Sequence, residues 1–569
     1  MTDRLETRAD FEKFQQRARQ RWEALWQNDR LVVSVGVDSS SEPKGALRVL
    51  AACREALAGT DAVVREVSGN GAMWMEPTVE IKRPGEPPVV YGWIAPEDVP
   101  ALLAGNLQDR AVGVRGPEAF GEIPPLDEHP FFKHQLRIVM EDFGVIEPDS
   151  IEDAIARGAY GALSKVLFEM TAEEAIAEVT ASGLRGRGGA GFPAGVKWES
   201  GRKARARPKF VAVNSHEGEP NVYKDRRIHE GDPHKILEGM LIASVACGAE
   251  RAYNYIGGEY PLAIKRFRRA VADAERLGLI GKNILGSGHD VEVRVRTGGG
   301  AYICGEGSAL MYSVMGVRGQ PRTKPPRSVE EGLWKRPTIL NNTETFANVP
   351  AIINKGGEWY SQIGTPTSAG TKMMTVQGPL KHVGLVETPM GISMRTLLDE
   401  VWGGMRDGHQ FRGVQTGGVS AGPLTTEHLD YAVDFDSMTE IGGMLGSGGF
   451  VVFDQHVCPV DFARYLTAFN RVESCSKCVP CHRGNPALVE ILDRIRLGGG
   501  AREDLPLMER TSKHIIDLSL CGLGQVAPMP LLGMMKMYPQ DFLDHIERHV
   551  CSAGACPIGA PEPFAAAAD

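Results

Sequence analysis

Apolar residues follow two rhythms along this chain, and their alternation divides it into segments. Residues 1–30 carry aromatic and aliphatic side chains at helical spacing. Residues 31–105 alternate strand-like and helical runs. LVVSVGV, DAVVREV, TVEI and VVYGWI predict strands, ALRVLAACREAL a helix, and IAPEDVPALLAG a further helix opened by Pro and Asp. This is a small α/β unit, and the Pro/Gly-rich stretch over 113–130 reads as the linker out of it. From 131 to 355 apolar strands (FVAVN, AYNYIGG, VEVRVRTGG) alternate with the helices HKILEGMLIASVACGA and YPLAIKRFRRAVADAERLG, and Gly-rich loops follow the strands. Short strands and GG/GP turns over 370–450 predict a compact α+β domain of β-grasp type. From Cys458 to about 550 the period is helical, so a helical bundle is expected to surround the cysteines there. The tail PIGAPEPFAAAAD is of low complexity and expected to be mobile.

Composition narrows the class. A chain of 569 residues is too long for one core, and about one domain per 150 residues suggests several units. The formal charge of -9 argues against non-specific nucleic-acid binding, which needs Lys and Arg to neutralise phosphates. No apolar run reaches the ~20 residues needed to cross a bilayer. The charged N-terminus lacks a signal-peptide core, so a cytoplasmic protein is expected. Seven of the ten cysteines lie at or after Cys458, and that crowding in a reducing compartment points to metal ligation rather than disulfides.

The strongest chemical signal is ESCSKCVPCHRG, residues 473–484, followed later by LSLCGLGQ. Cys475, Cys478 and Cys481 at C-x2-C-x2-C, with a distant fourth thiolate from Cys521, match the ligand set of a [4Fe–4S] cluster. A structural zinc site more often pairs two C-x2-C arms. The loop GLRGRGGAGFPAGVKWES, residues 183–200, combines Gly186, Gly188, Gly189 and Gly191 with Arg185, Arg187 and Lys197, which suits phosphate. It does not match the G-x-G-x-x-G dinucleotide turn. NSHEGEPNVYKDRR follows the strand FVAV and places Asn214, His216, Glu217 and Glu219 at a strand end, where α/β proteins bind ligands. GGGAYICGEGSALMYSVMGVRGQPRTKPP brings Tyr302, Gly305, Glu306 and Lys324, and TILNNTET brings Asn341 and Asn342.

Together GLRGRGGAGFPAGVKW, EGEPNVYKDR, EGDPHKILEGM, GAYICGEGSAL, the ESCSKCVPC triplet and Cys521 resemble the FMN-binding, NADH-oxidising 51-kDa subunit of respiratory complex I. The diaphorase subunits of soluble NAD-linked hydrogenases and formate dehydrogenases share that family. The resemblance covers about residues 140–550 and implies a multidomain α/β and α+β chain. Its parts would be a thioredoxin-like domain lacking cluster cysteines (1–112), a linker (113–139) and an FMN and nucleotide-binding domain (140–365). A β-grasp domain of the soluble-ligand-binding type (366–455), a helical bundle with the [4Fe–4S] cluster (456–550) and a tail (551–569) would follow. It further implies that Gly186, Gly188 and Lys197 meet the phosphate end of FMN, with Asn341 and Asn342 near that phosphate. Asn214, Glu217, Tyr302, Gly305 and Glu306 would surround the flavin ring and ribityl chain, and Phe192, Glu219 and Lys324 the nucleotide. Glu217, Glu219 and Glu306 are the expected catalytic carboxylates, although hydride transfer requires no general acid or base. His216 is a candidate titratable charge beside the flavin.

The N-terminal unit is similar to the thioredoxin-like ferredoxin domain that accompanies this family, yet SGNGAMWMEP and VGVDSSSEP lack its cysteines. Cys53 alone cannot ligate a cluster, so a structural or docking domain is expected. VCSAGAC resembles the segment leading into an added ferredoxin domain in some relatives. Cys551 and Cys556 are expected to be free thiols, with ligation shared with a partner left open. The family pattern has Asp at His216, Gly-Thr at Asn221-Val222, Glu at Gly307, and aromatics at Ser200 and Arg327. Loss of an acid beside ribose, with Arg nearby, suits a 2′-phosphate, so NAD(H), NADP(H) and no nucleotide all stay open. The favoured function is an NAD(P)H dehydrogenase (diaphorase) component of a soluble heteromeric complex whose partners hold further Fe–S clusters and a terminal catalytic site. The alternative is an FMN/[4Fe–4S] conduit or docking component that receives its electrons from a protein partner.

Overall fold

The computed structural model describes residues 4–27 and 29–558, and most of the expected tail lies outside them. The N-terminal domain is a five-stranded sheet of β1 (Val32–Gly36), β2 (Val63–Val67), β3 (Val79–Lys82), β4 (Val89–Tyr91) and β5 (Ala111–Val114), in the order β2-β1-β3-β4-β5. β1 and β2 are parallel and joined by a crossover through the helix Ala46–Ala56, and β3 to β5 return antiparallel. That is a thioredoxin-like order. Three boundary expectations fail here. The sheet runs through β5, past residue 112, because the four-residue AVGV strand lies inside what composition marks as linker. The first helix, Arg8–Gln27, belongs elsewhere: Phe11 and Ala18 enter the core built from 138–385, with Ile151 and Ile155. The stretch 113–139 is no free linker either, since Phe131 and Phe132 are buried in the core of the β-grasp domain.

The central domain is a four-stranded parallel sheet, β6 (Phe210–Ser215), β7 (Arg251–Gly257), β8 (Glu292–Gly298) and β9 (Thr338–Asn342), ordered β8-β7-β6-β9. β6 and β7 are largely apolar and buried, as central parallel strands must be, whereas β8 at the edge has one buried residue, its others being half-buried or exposed. Helices form where the apolar positions repeat at three and four. Pro261–Leu277 starts on Pro, buries Ala263, Phe267, Ala270, Ala274 and Leu277, and stops at Gly278, which takes a left-handed φ of 80°. The chain moves from β6 to β7 and β8, then crosses to β9 on the other side. The topological switch point therefore falls between β6 and β9, where Asn214 pairs in register with Asn342.

A hairpin of β10 (Gly364–Thr365) and β11 (Ser368–Ala369) leads into the third domain. There β12 (Thr371–Gln377), β13 (Gly384–Pro389), β14 (Phe411–Thr416), β15 (Pro423–Leu424) and β16 (Gly449–Asp454) form a mixed sheet ordered β13-β12-β16-β14-β15. The first and last of these strands, β12 and β16, lie parallel at its centre, which is the β-grasp arrangement. Buried Glu387 on β13 accepts backbone N–H groups from Ile138, Val139 and Met140 at 2.8–3.1 Å. That one carboxylate ties the preceding stretch to the sheet. The last domain is helical, built from Pro459–Val472, Val479–Arg496, Asp504–Leu518 and Met529–Met537. No helix among the described residues is long and apolar enough to cross a membrane.

Candidate functional site

A cleft of about 350 Å³ opens at the switch point, and every domain except the first contributes to it. The strand ends supply Asn214, His216, Glu217, Glu219 and Asn342. The Gly-rich loop supplies Gly188, Gly189 and Ala190, and the loop after β8 supplies Tyr302, Ile303, Gly305 and Glu306. Asn214 donates to Gly305 O at 2.8 Å, Asn342 donates to Asn214 O at 3.3 Å, and Glu473 of the helical domain holds the Tyr302 amide at 2.9 Å. The glycines matter where nothing else fits. Gly189 has φ of 120°, and a β-carbon on Gly218 would lie 2.7 Å from His216 Cε1.

The carboxylates differ in state. Glu217 accepts the amides of Asp225 at 2.9 Å and Arg226 at 3.3 Å, while its second oxygen has no hydrogen-bond partner among the described residues and lies 4.0 Å from Lys224 Nζ. Burial and neighbouring Asp225 raise its pKa against the pull of Lys224. Glu219 is also buried, which pushes it up to about 6 despite hydrogen bonds from Ser447 at 2.8 Å and the Val419 amide at 3.1 Å. Glu306 caps the helix Gly307–Val314 through Ser308 N and Ala309 N and pairs with Lys324 at 2.9 Å. Burial opposes its charge, but the hydrogen bonds and Lys324 prevail and its pKa is lowered. Burial lowers the pKa of His216, and neither of its ring nitrogens has a hydrogen-bond partner among the described residues.

A second cleft of about 350 Å³ adjoins the first through Ala190, which lines both. It holds Phe192, Lys197, Ser200, Gly307, Arg322, Lys324 and Arg327, and no carboxylate. Lys197 therefore sits with the expected nucleotide residues rather than in the inner cleft. It donates to Leu340 O at 2.7 Å, and burial with Lys324 nearby lowers its pKa to about 8. Two expected residues line neither cleft. Asn341 points to the opposite face of β9 from Asn342, as strand alternation demands, and is buried. Gly186 shapes its loop by donating to Phe192 O at 2.9 Å.

Cys475, Cys478, Cys481 and Cys521 surround one small pocket with Ile303, Pro321 and Leu523, and none is in a disulfide. Cys478 and Cys521 precede helix starts, and Cys481 lies in the first turn of Val479–Arg496, so helix N-termini face the thiolates. Ser474 and Asn485 approach Cys481 Sγ at 3.4 and 3.5 Å, the kind of surrounding hydrogen bonds that tune a cluster. Ile303 and Leu523 line both this pocket and the inner cleft. The donor sets fit the two groups. Unpartnered buried polar atoms and bare glycine backbone suit FMN, and four convergent thiols suit a cubane.

Sequence reasoning missed the wall supplied from elsewhere: Gly417, Ser420, Met444, Gly446 and Ser447 from β-grasp loops, and Val526 from the helical domain. Only the glycine clusters in GGVSAG and GSGG signal them. Cys551 and Cys556 are free thiols, as expected, and the chain folds both beside Cys458 and His545.

Residues 179–351 match the Nuo51 FMN-binding domain, and residues 461–545 match the NADH-ubiquinone oxidoreductase-F iron-sulfur binding region. The chain is 47% identical to the HndC subunit of the NADP-reducing hydrogenase of Solidesulfovibrio fructosivorans, over 74% of this chain and 86% of that protein. It is 45% identical to an NADH-quinone oxidoreductase component of Rhizobium meliloti, the second of its F type, over 70% of this chain and 94% of that one. A crystal structure of NAD+-reducing [NiFe]-hydrogenase shares the fold with a TM-score of 0.65 at 24% identity, covering 95% of this chain and 91% of that one. On this identity and coverage, the chain belongs to the family of FMN-binding 51-kDa subunits of NADH-quinone oxidoreductases.

Proposed function

We propose that this chain is the electron-input component of a heteromeric oxidoreductase in the cytoplasm, linking a pyridine nucleotide to partners that hold further Fe–S clusters and a terminal catalytic site. FMN, when bound, exchanges hydride with the nucleotide and single electrons with the [4Fe–4S] cluster. The observation that carries this reading is the wall shared by the inner cleft and the four-cysteine pocket, one side chain thick at Ile303 and Leu523. In the proposed division of labour, residues of 140–365 hold FMN and nucleotide, the β-grasp domain closes the cleft with its loops, and 456–550 holds the cluster.

Gly188, Asn214, Gly305 and Asn342 present backbone and amide groups to FMN, and Glu217, Glu219, Tyr302 and Glu306 set the polarity around it. Phe192, Lys197 and Lys324 receive the nucleotide. Raised pKa values at Glu217 and Glu219 limit negative charge in the cleft, which eases the approach of an anionic ligand. The outer cleft favours a nucleotide with an extra phosphate, because Lys197, Arg322, Lys324 and Arg327 line it without a carboxylate.

The test is anaerobic mixing of the purified protein with NADH and NADPH in parallel, following flavin absorbance and the electron paramagnetic signal of the cluster. Flavin bleaching followed by the reduced-cluster signal is expected. No bleaching by either nucleotide, in protein containing both FMN and iron, would reject turnover and leave the conduit reading.

A further inference from the structure

Apart from the four cysteines of the iron–sulfur pocket, three more converge at the joint between the β-grasp sheet and the helical domain. Cys458 follows β16 and caps the helix Pro459–Val472; it is 1% exposed. His545, fully buried, comes from the turn Asp544–Arg548. His549 then reverses the chain at φ of 50°, and a tight loop, with Gly554 donating to Cys551 O at 3.0 Å, returns Cys551 and Cys556 to the same point. One ligand atom from each of the four lies within 4.8 Å of every other. Cys458 Sγ lies 3.5 Å from Cys556 Sγ and 3.5 Å from His545 Nε2.

These separations select among chemistries. A disulfide needs sulfurs about 2.05 Å apart, and none forms among these cysteines. Metal–sulfur bonds of about 2.3 Å and metal–nitrogen bonds of about 2.0 Å in a tetrahedron put ligand atoms roughly 3.5–3.8 Å apart. The observed pairs sit at that spacing. We propose that Cys458, His545, Cys551 and Cys556 bind a single zinc ion, a closed four-coordinate site that clips the 551–556 segment to the joint between sheet and helices. Three thiolates and a neutral imidazole leave the bound ion with a net charge of about -1 and no open position, as in structural rather than catalytic zinc sites. Zinc has no accessible second oxidation state, so the site lies outside the electron path.

A supporting shell already orients the ligands. His545 Nδ1 donates to Asp541 O at 2.7 Å, which leaves Nε2 as the lone-pair donor toward the ion. Arg412, on β14, pairs with Asp541 at 2.7 Å and donates to Val457 O at 3.0 Å, while Ser552 donates to the Asp541 carboxylate at 2.6 Å. One guanidinium thereby ties together the segments that bear all four ligands. No strand or helix includes residues 549–558, so the ion supplies the order that backbone ladders do not.

The full-length protein, expressed with zinc in the medium and isolated with its flavin and iron, is assayed for metals and for X-ray absorption at the zinc edge. About one zinc per chain in a shell of three sulfurs and one nitrogen is expected. The double variant Cys551→Ser, Cys556→Ser is expected to lose that zinc and keep its flavin and iron. Trypsin would then cleave within 548–558 at least tenfold faster. Zinc absent from the parent protein, iron in its place, an oxygen-dominated shell, or zinc retained by the double variant would each overturn the site. The absorption spectrum of the parent decides the matter even if the variant fails to fold.

Discussion

Cys478 stands where a loop meets the start of the helix Val479–Arg496. Cys478→Ala is expected to abolish the cluster's electron paramagnetic signal while leaving FMN bound, because no cysteine lines the inner cleft. Loss of flavin with the cluster would contradict separate sites. Lys197 gives a pH signature. Below its pKa of about 8, Lys197 adds a positive charge to the outer cleft, and above it that one charge is lost. KM for the nucleotide is therefore expected to rise roughly tenfold from about pH 7 to about pH 9, the worth of one charge-assisted hydrogen bond. In Lys197→Met, KM should be high and flat across that range. Arg327→Ala should lower kcat/KM for NADPH about tenfold more than for NADH. Residues carried by short spacings are legible in the sequence: the cysteine triplet, Asn214 beside Glu217, Gly188 in its loop. Asn341 is not, because two adjacent strand residues cannot both face one cleft. The β-grasp loops that hold Glu219 through Val419 and Ser447 are marked only by their glycines, since they lie about two hundred residues away in sequence.

Elements are readable wherever periodicity runs for more than about five residues. β6, β7 and the helices Pro233–Cys247 and Pro261–Leu277 fall where the pattern puts them. β5 does not, because four residues between Arg110 and Arg115 give no period to read. The helix Arg8–Gln27 is visible as an element, but no local signal says which domain it joins. Its destination makes a prediction. Phe11→Ala removes a buried ring from the core shared with Ile151 and Ile155, at a cost of about 3–5 kcal/mol. Hydrogen exchange is expected to speed up in the 151–168 helices and around the flavin cleft, and not in β1–β5. Faster exchange in β1–β5 alone would show that the helix stabilises its sequence neighbours instead.

At the scale of the whole molecule, the first domain is locked to the second by charge. Asp38 is buried against Arg227 of the helix Lys224–Gly231, and Ser40 joins Arg227 to Glu76. Burial opposes the charge on Asp38, and the guanidinium overrides it, holding the carboxyl well below its usual range. Removing the cation alone, as in Arg227→Met, leaves that charge stranded at a cost of about 3–5 kcal/mol. Pairing it with Asp38→Asn should recover much of the loss, as read from the denaturation midpoint. Asp38, Ser40 and Glu76-Pro77 stand in the two segments, VGVDSSSEP and SGNGAMWMEP, where the resemblance to a ferredoxin domain would place cluster cysteines. Neither segment holds a cysteine, and Cys53, in the helix Ala46–Ala56 of the same domain, is buried in an apolar core. On the proposed route, this has a consequence for the topology of the current. A chain with a second cluster beside the flavin would be a fork, able to send the two electrons of one hydride down separate arms. Among the described residues one four-cysteine pocket adjoins the inner cleft, so on that route this chain would be a single wire, with the second electron waiting for the first to clear the cluster.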